Sequence, residues 1–243
     1  MPVPPSDHLD PQVVDEQQAW SSPESLDYYR RHRQSPEDLY PSERFFLPDV
    51  LRQVDSMLDV GCAAGGFSEV ARALNPRVRY VGVDIAPRFI ETARAEHPHS
   101  EFVLGDGLTF PTAPGSFDLA HASGVLHLNL RYRDIIAAMW QQTRRFLLCD
   151  LRLTKAAPEV GRMESPFGET RATSLPYVVL AVDDALEMFR ALDPPPARVT
   201  VKGYRHHASA HAKLANPDVL MAFVLAEKAP GSAPTTFDVD LDG

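Results

Sequence analysis

One stretch limits what this chain can become. Ser56-Met57-Leu58-Asp59-Val60 is short and mostly apolar, and Gly61-Cys62-Ala63-Ala64-Gly65-Gly66 follows at once. From Phe67 the period changes, with Phe67, Val70, Ala71 and Leu74 at i, i+3, i+4 and i+7 on one helical face. The reading is a buried strand, a glycine turn and the start of a helix. Gly61, Gly65 and Gly66 let the main chain turn sharply and let a ligand come close. The N–H groups at the helix start are expected to face that ligand.

The rest of the chain repeats the alternation. Strands are predicted at 78–84, 101–106, 117–121, 146–151, 198–204 and 219–227. Helices start at Pro87, in the run holding Ile135, Ile136, Met139 and Trp140, and at Val182-Asp183-Asp184. Strands alternating with helices imply an α/β fold, a doubly wound and mostly parallel sheet with helices on both faces. The loop 205–218 is too short for a helical crossover, so the last two of the seven strands are expected to pair antiparallel. Residues 152–176 read as irregular.

The first 54 residues read differently. Residues 1–19 are rich in Pro, Asp and Gln and are expected to form a disordered or extended tail. Residues 20–54 carry two helix-start signals, Ser21-Ser22-Pro23-Glu24 and Ser35-Pro36-Glu37-Asp38, then an apolar cluster interrupted by Pro48. They are expected to form an N-terminal helical lid over a domain at 55–230. Residues 231–243 are expected to fray as a flexible C-terminal tail.

Composition narrows the function. A net charge of −9 argues against general binding to nucleic acid. No apolar run approaches the ~20 residues of a membrane span. Two cysteines, Cys62 and Cys149, build no disulfide framework and read as reduced thiols, which points to the cytoplasm.

Three acids stand at strand ends: Asp59 in the first, Asp84 closing the second and Asp106 closing the third. With the glycine turn, this ordered set resembles the class I S-adenosylmethionine-dependent methyltransferases, over about residues 50–228. The family pattern acid-x-Gly-x-Gly-x-Gly is matched by Asp59 to Gly65, with Ala63 in the middle place. The resemblance implies a seven-stranded, Rossmann-like fold that binds S-adenosylmethionine and releases S-adenosylhomocysteine. It places the methionine end of the cofactor on Asp59, Gly61, Cys62, Ala63 and Gly65. It gives the ribose hydroxyls to Asp84, whose two oxygens suit a vicinal diol. It sets the adenine beside Ile85, Asp106, Gly107 and Leu108, with Ser123 at the cofactor edge. The implied reaction moves a methyl group to O, N or C of a small molecule.

The acceptor side is read from residue chemistry. His127 follows the fourth strand and reads either as a general base for the acceptor or as a packed residue at the cofactor edge. Transfer from a sulfonium needs no base in principle, because positioning alone suffices. Tyr28, Tyr29, Arg33 and Tyr40 of the lid, with Phe167 and Tyr177 on a second wall, complete the candidate substrate contacts. His206, His207 and His211 make a poor metal clamp, and no metal is expected. The glycine turn also fits a dinucleotide pattern if Ala is allowed in it, so a nicotinamide-dependent oxidoreductase stays open, although no Tyr-x-x-x-Lys spacing occurs. A binding-only relative that holds the cofactor without turnover also stays open. The sequence leaves the oligomeric state unread.

Overall fold

In the computed structural model, residues 17, 20, 22–164, 174–229 and 234–242 are described. The residue contacts that organise the fold come from one sheet. Its path is β11-β8-β10-β5-β4-β1-β2-β3. The seven predicted strands are all present: β1 (Ser56–Val60), β2 (Arg79–Asp84), β3 (Glu101–Leu104), β4 (Phe117–Ala122), β5 (Thr143–Thr154), β8 (Arg198–His207) and β10 (Asp218–Glu227). Strands β3, β2, β1, β4 and β5 run parallel. β10 lies antiparallel between β5 and β8, as the short connection requires.

Helices cover both faces. Along β1 the side chains alternate: Met57 joins a core with Leu47 and Leu51 of α2 (Pro41–Leu51), Val70 of α3 (Phe67–Leu74) and Ile90 of α4 (Pro87–Glu96). Leu58 and Val60 join the other core, with Ile136 and Trp140 of α5 (Tyr132–Gln142) and Phe189 of α6 (Val182–Arg190). Trp140 is fully buried, and its indole N–H donates to the Pro194 carbonyl at 2.7 Å.

The structure corrects the sequence reading in four places. First, residues 152–176 are not irregular. β5 runs on to Thr154, and β6 (Glu159–Glu164) and β7 (Ser174–Ala181) form an antiparallel ribbon with the short β9 (Ala212–Lys213). β4 stops at Ala122, opposite Cys149. β7 then takes its place beside β5, pairing Leu153 with Leu180. The ribbon therefore rises past the C-terminal edge of the parallel strands. Second, the sheet holds more than seven strands. Residues 236–240 do not fray: β11 (Thr236–Asp240) adds in parallel to β8. Its neighbour Leu241 is buried in the core. Third, α2 runs through Pro48 rather than breaking there. Fourth, His206 and His207 lie on β8, not in a loop, and His207 Nδ1 stands 3.0 Å from Asp218.

The N-terminal segment contains α1 (Pro23–Arg31), capped by the Ser22 hydroxyl, which accepts from the Ser25 amide; Ser21 lies outside the described residues. A 3-10 turn at Pro36–Asp38 follows and leads to α2. Arg30 of α1 pairs with Glu96 at the end of α4. The segment is thereby laid across the sheet edge where the glycine turn sits. Among the described residues no helix is long and apolar enough to cross a membrane.

Candidate functional site

A cavity of about 490 Å³ opens at the C-terminal edge of the parallel strands. This is where open α/β sheets bind ligands. Its lining includes Gly61, Ala63, Asp84, Ile85, Asp106, Gly107, Ser123 and His127 from the domain, and Tyr28, Tyr29, Arg33 and Tyr40 from the N-terminal segment. Twelve positions singled out in the sequence thus face one space.

The glycine turn has its shape for steric reasons. Gly61 has φ +81°, and a Cβ there would meet the Val125 Cβ at 2.9 Å. Gly65 has φ +86° and sits against Phe102, Ala93 and His97, so it serves helix packing and does not line the cavity. Ala63, in the family's middle glycine place, has φ +47°, a left-handed conformation that costs an L-residue free energy. The turn is not an open row of donors. The Gly61 and Cys62 amides bond the Val83 carbonyl at 2.8 and 3.1 Å, and Gly65 bonds Cys62 O at 3.0 Å. The Ala63 amide donates to Asp84 at 2.9 Å. At the start of α3 a Cβ on Gly66 would meet the His32 carbonyl at 3.1 Å. The amides of Gly61, Cys62, Ala63 and Gly65 are thus spent inside the protein, while Gly66 and Phe67 at the start of α3 line a smaller cavity beside the turn.

Asp84 is held by its neighbours. One carboxylate oxygen accepts from Ala63 N and the other from Ala86 N, each at 2.9 Å. Each oxygen keeps further lone pairs for the cavity. Burial pushes the Asp84 carboxyl up to about 6, against the pull of those amides. Asp106 accepts from the Leu108 amide at 3.0 Å, and Arg131 stands 3.9 Å away. Leu108 itself packs on the core rather than facing the cavity.

Asp59 and Cys62 lie behind the turn. A smaller cavity of about 70 Å³ shares Gly61, Ala63 and Arg33 with the large one and reaches Asp59, Cys62, Phe67 and His121. The Asp59 carboxylate accepts from the Tyr80 hydroxyl and faces His121. Burial and the Asp84 and Asp59 carboxylates raise the Cys62 thiol well above its usual range. Asp59 therefore supports the turn from below, and Cys62 fills the space beside Gly82.

The other end of the cavity comes from β5 and the ribbon. Cys149, Leu151 and Leu153 of β5 point into the core, so the intervening Asp150 and Arg152 point the other way, where β4 has ended. Asp150 accepts from the Gly124 amide at 2.7 Å and from Arg152 at 2.5 Å. His127 sits in the 3-10 turn Leu126–Leu128, edge-on to Tyr177 with ring centroids 5.0 Å apart. Burial, reinforced by Arg152, lowers the His127 imidazole to about 3. Such an imidazole is neutral at physiological pH and a weak base. Tyr177 stands behind His127 and Arg152 and does not line the cavity. Phe167 lies outside the described residues.

The sequence reading missed Arg152, Glu43 and His121. Arg152 left a usable signal: a charged residue inside the apolar run Phe146 to Leu153. Glu43 and His121 left none, since both match ordinary surface patterns. Met163, Leu175 and Ser209 also line the cavity, from the ribbon and the turn before β9. Among the described residues no group of three or more His, Cys, Asp or Glu is placed to hold a metal ion.

Comparison with known proteins finds a domain family and relatives that match part of the chain. Residues 57–147 match the family model described as a methyltransferase domain. The malonyl-[acyl-carrier protein] O-methyltransferase of Legionella pneumophila is 32% identical over 90 residues, covering 34% of this chain and 32% of that protein. The trans-aconitate 2-methyltransferase of Methylobacterium radiotolerans is 35% identical over 69 residues, covering 28% of this chain and 26% of that protein. The chain thus spans about a third of the length of these relatives. The solved N-terminal domain of EvdMO1 with SAH bound shares the fold, with a TM-score of 0.57 at 12% identity over 93% of this chain and 100% of that one.

Proposed function

We propose that this chain, a class I methyltransferase in fold with a methyltransferase domain at residues 57–147, transfers a methyl group from S-adenosylmethionine to a small molecule. The observation that carries the reading is one cavity bounded by the glycine turn and by the acids closing consecutive strands, Asp84 and Asp106. The residues present suit the donor. Asp84, fixed by two amides, offers its remaining lone pairs to the ribose hydroxyls. Asp106, Gly107 and Ile85 frame the adenine, and Ser123 and Gly61 border the methionine end. When bound, the sulfonium supplies an activated methyl group with a good leaving group.

The chain's own contribution is then binding and alignment. Tyr28, Tyr29 and Tyr40 close the cavity from the N-terminal segment and exclude water. His127 holds the acceptor rather than deprotonating it, because a general base works best with a pKa near the operating pH. The relatives are named for malonyl-[acyl-carrier protein] and trans-aconitate, but the matched stretches are short, so this acceptor is read from the chemistry of the cavity. Two buried free thiols, Cys62 and Cys149, accord with a reducing cytoplasmic setting.

Calorimetry with S-adenosylmethionine and with NAD tests the reading. Saturable binding of the first is expected, with none of the second. Saturable binding of NAD alone would overturn it in favour of an oxidoreductase. Incubation with labelled cofactor and a metabolite pool then separates an enzyme from a protein that only binds.

A further inference from the structure

Among the described residues, three side chains that line the cavity keep a buried nitrogen without a partner: Arg33 Nε, His127 Nδ1 and Arg152 Nε. Arg152 and His127 are 7% and 6% exposed, and both line the cavity. Arg152 gives one terminal nitrogen to Asp150 and has the Tyr177 hydroxyl as a second partner, yet its Nε has none. His127 Nδ1 likewise has no partner. Leaving such groups buried and unpaired costs free energy, which a ligand with matching acceptors recovers.

The charges lining the cavity are sorted along the sheet edge. Among the described residues its lining carboxylates, Asp84 and Asp106, follow β2 and β3. Arg152 is on β5, with β4 and β1 between it and β2. Arg33 also lines the cavity and bonds Ser123 at the end of β4. The guanidinium of Arg33 lies 4.8 Å from the Tyr40 ring, and Tyr40 feels the charge of Arg152 as well. The acceptor end is thus bounded by two guanidiniums, each paired from behind with a buried carboxylate (Arg152 with Asp150, Arg33 with Glu43), and by neutral groups, Met163, Leu175 and Ser209 among them.

From these nitrogens we infer that the acceptor is a small carboxylic acid, bound through Arg152 Nε and through His127 Nδ1 in the tautomer that carries its proton there, and that the product is its methyl ester. The inference rests on the methyltransferase reading above. A carboxylate matches the site better than a hydroxyl or an amine. It offers two oxygens, bonds a guanidinium with charge assistance, and can be held by one oxygen while the other attacks. It is already ionised at neutral pH. The new bond joins a carboxylate oxygen to the methyl carbon. The carbon–sulfur bond breaks, its electron pair stays on sulfur, and the sulfonium becomes a neutral thioether. No proton moves, which suits a site whose histidine is a poor base.

The test uses the full chain, S-adenosylmethionine labelled in the methyl group, and a panel of small mono- and dicarboxylic acids with their primary amides and alcohols as controls. Label is expected with acids only, and mild alkali should release it as methanol. Arg152→Lys keeps a cation for Asp150 but removes the Nε donor. Its KM for the acid should rise about 10–100-fold, with S-adenosylhomocysteine affinity unchanged. Alkali-stable label, or label on the amides or alcohols alone, overturns the inference. So does an unchanged KM in the variant, or no label from any acid while the cofactor still binds. Failure to bind S-adenosylmethionine overturns the methyltransferase reading itself. The product test on the unaltered protein stands even where the variant fails to fold.

Discussion

His121 Nδ1 lies 2.7 Å from Asp59 Oδ1, and this contact ties the base of the glycine turn to the N-terminal segment. The other ring nitrogen stands 3.1 Å from Glu43 on α2, and Glu43 in turn holds Arg33. Phe67 stacks on the imidazole at 4.6 Å, with Phe223 on the same cluster at 6.4 Å, and the Tyr80 hydroxyl completes Asp59. Two cations and two carboxylates are thus buried together, each with a partner.

Stability should depend on pH through this imidazole. Burial opposes its charge, but the bonds to Asp59 and Glu43 win and raise it to about 9. A base whose folded value exceeds its unfolded value of ~6.5 contributes fully below that value. The contribution is lost as pH climbs through the folded value. Thermal unfolding at constant ionic strength should therefore show Tm falling between about pH 6.5 and 9. His121→Gln should flatten that slope; an unchanged slope would contradict the charged imidazole.

Glu43 should be the costliest surface-like residue to remove. It is fully buried, and its loss strips Arg33 of its counter-charge and leaves His121 with Asp59 alone. Breaking a buried pair in this way costs about 3–5 kcal/mol. Urea unfolding of Glu43→Ala reads it, and a loss under 1 kcal/mol would mean that the cluster is solvated.

Asp84 should set both the strength and the pH dependence of cofactor binding. In the proposed reading its ionised form accepts the ribose hydroxyls, and burial raises its carboxyl to about 6. Affinity for S-adenosylmethionine should weaken as pH falls through about 6. Asp84→Ala should cost about 1–3 kcal/mol at neutral pH and abolish the dependence. Calorimetry between pH 5 and 7.5 measures both effects, and equal affinity in the variant would refute the ribose assignment.

The two small residues of the turn should respond in opposite directions. Gly61→Ala forces a left-handed φ on an L-residue and drives its Cβ into Val125, at a cost of roughly 2–4 kcal/mol. Ala63→Gly relieves a left-handed φ already present and should stabilise by about 0.5–1 kcal/mol, net of glycine's extra unfolded entropy. Denaturant midpoints of the two variants decide it, and a destabilised Ala63→Gly would show that its strain is negligible.

The end of the cavity lined by the glycine turn, Asp84 and Asp106 was legible because its signals are local. A strand end, a glycine turn and an acid at a fixed place are each written in a few consecutive residues, as at Asp59 to Gly65 and at Asp84. The other end is written across distant segments. Arg152 matters only because β4 stops opposite Cys149 and leaves its side chain a cavity to face. The ribbon that bounds that cavity read as irregular because Pro158, Gly161 and Pro176 mask its period. Glu43 reads as a helix-start acid, and only tertiary packing brings it to His121. The terminal strand was readable in principle, since Phe237, Val239 and Leu241 alternate with Asp238 and Asp240, but the polar composition around them masked that period.

That edge has a consequence for how the protein is made. β8 receives its outer partner from residues 236–240, which leave the ribosome after every other strand. Until they emerge, the outer hydrogen-bonding groups of β8 stand open, as an exposed strand edge prone to pairing with another chain. The interval between synthesis of β10 and docking of β11 is therefore when the β8 edge is most exposed to misassembly.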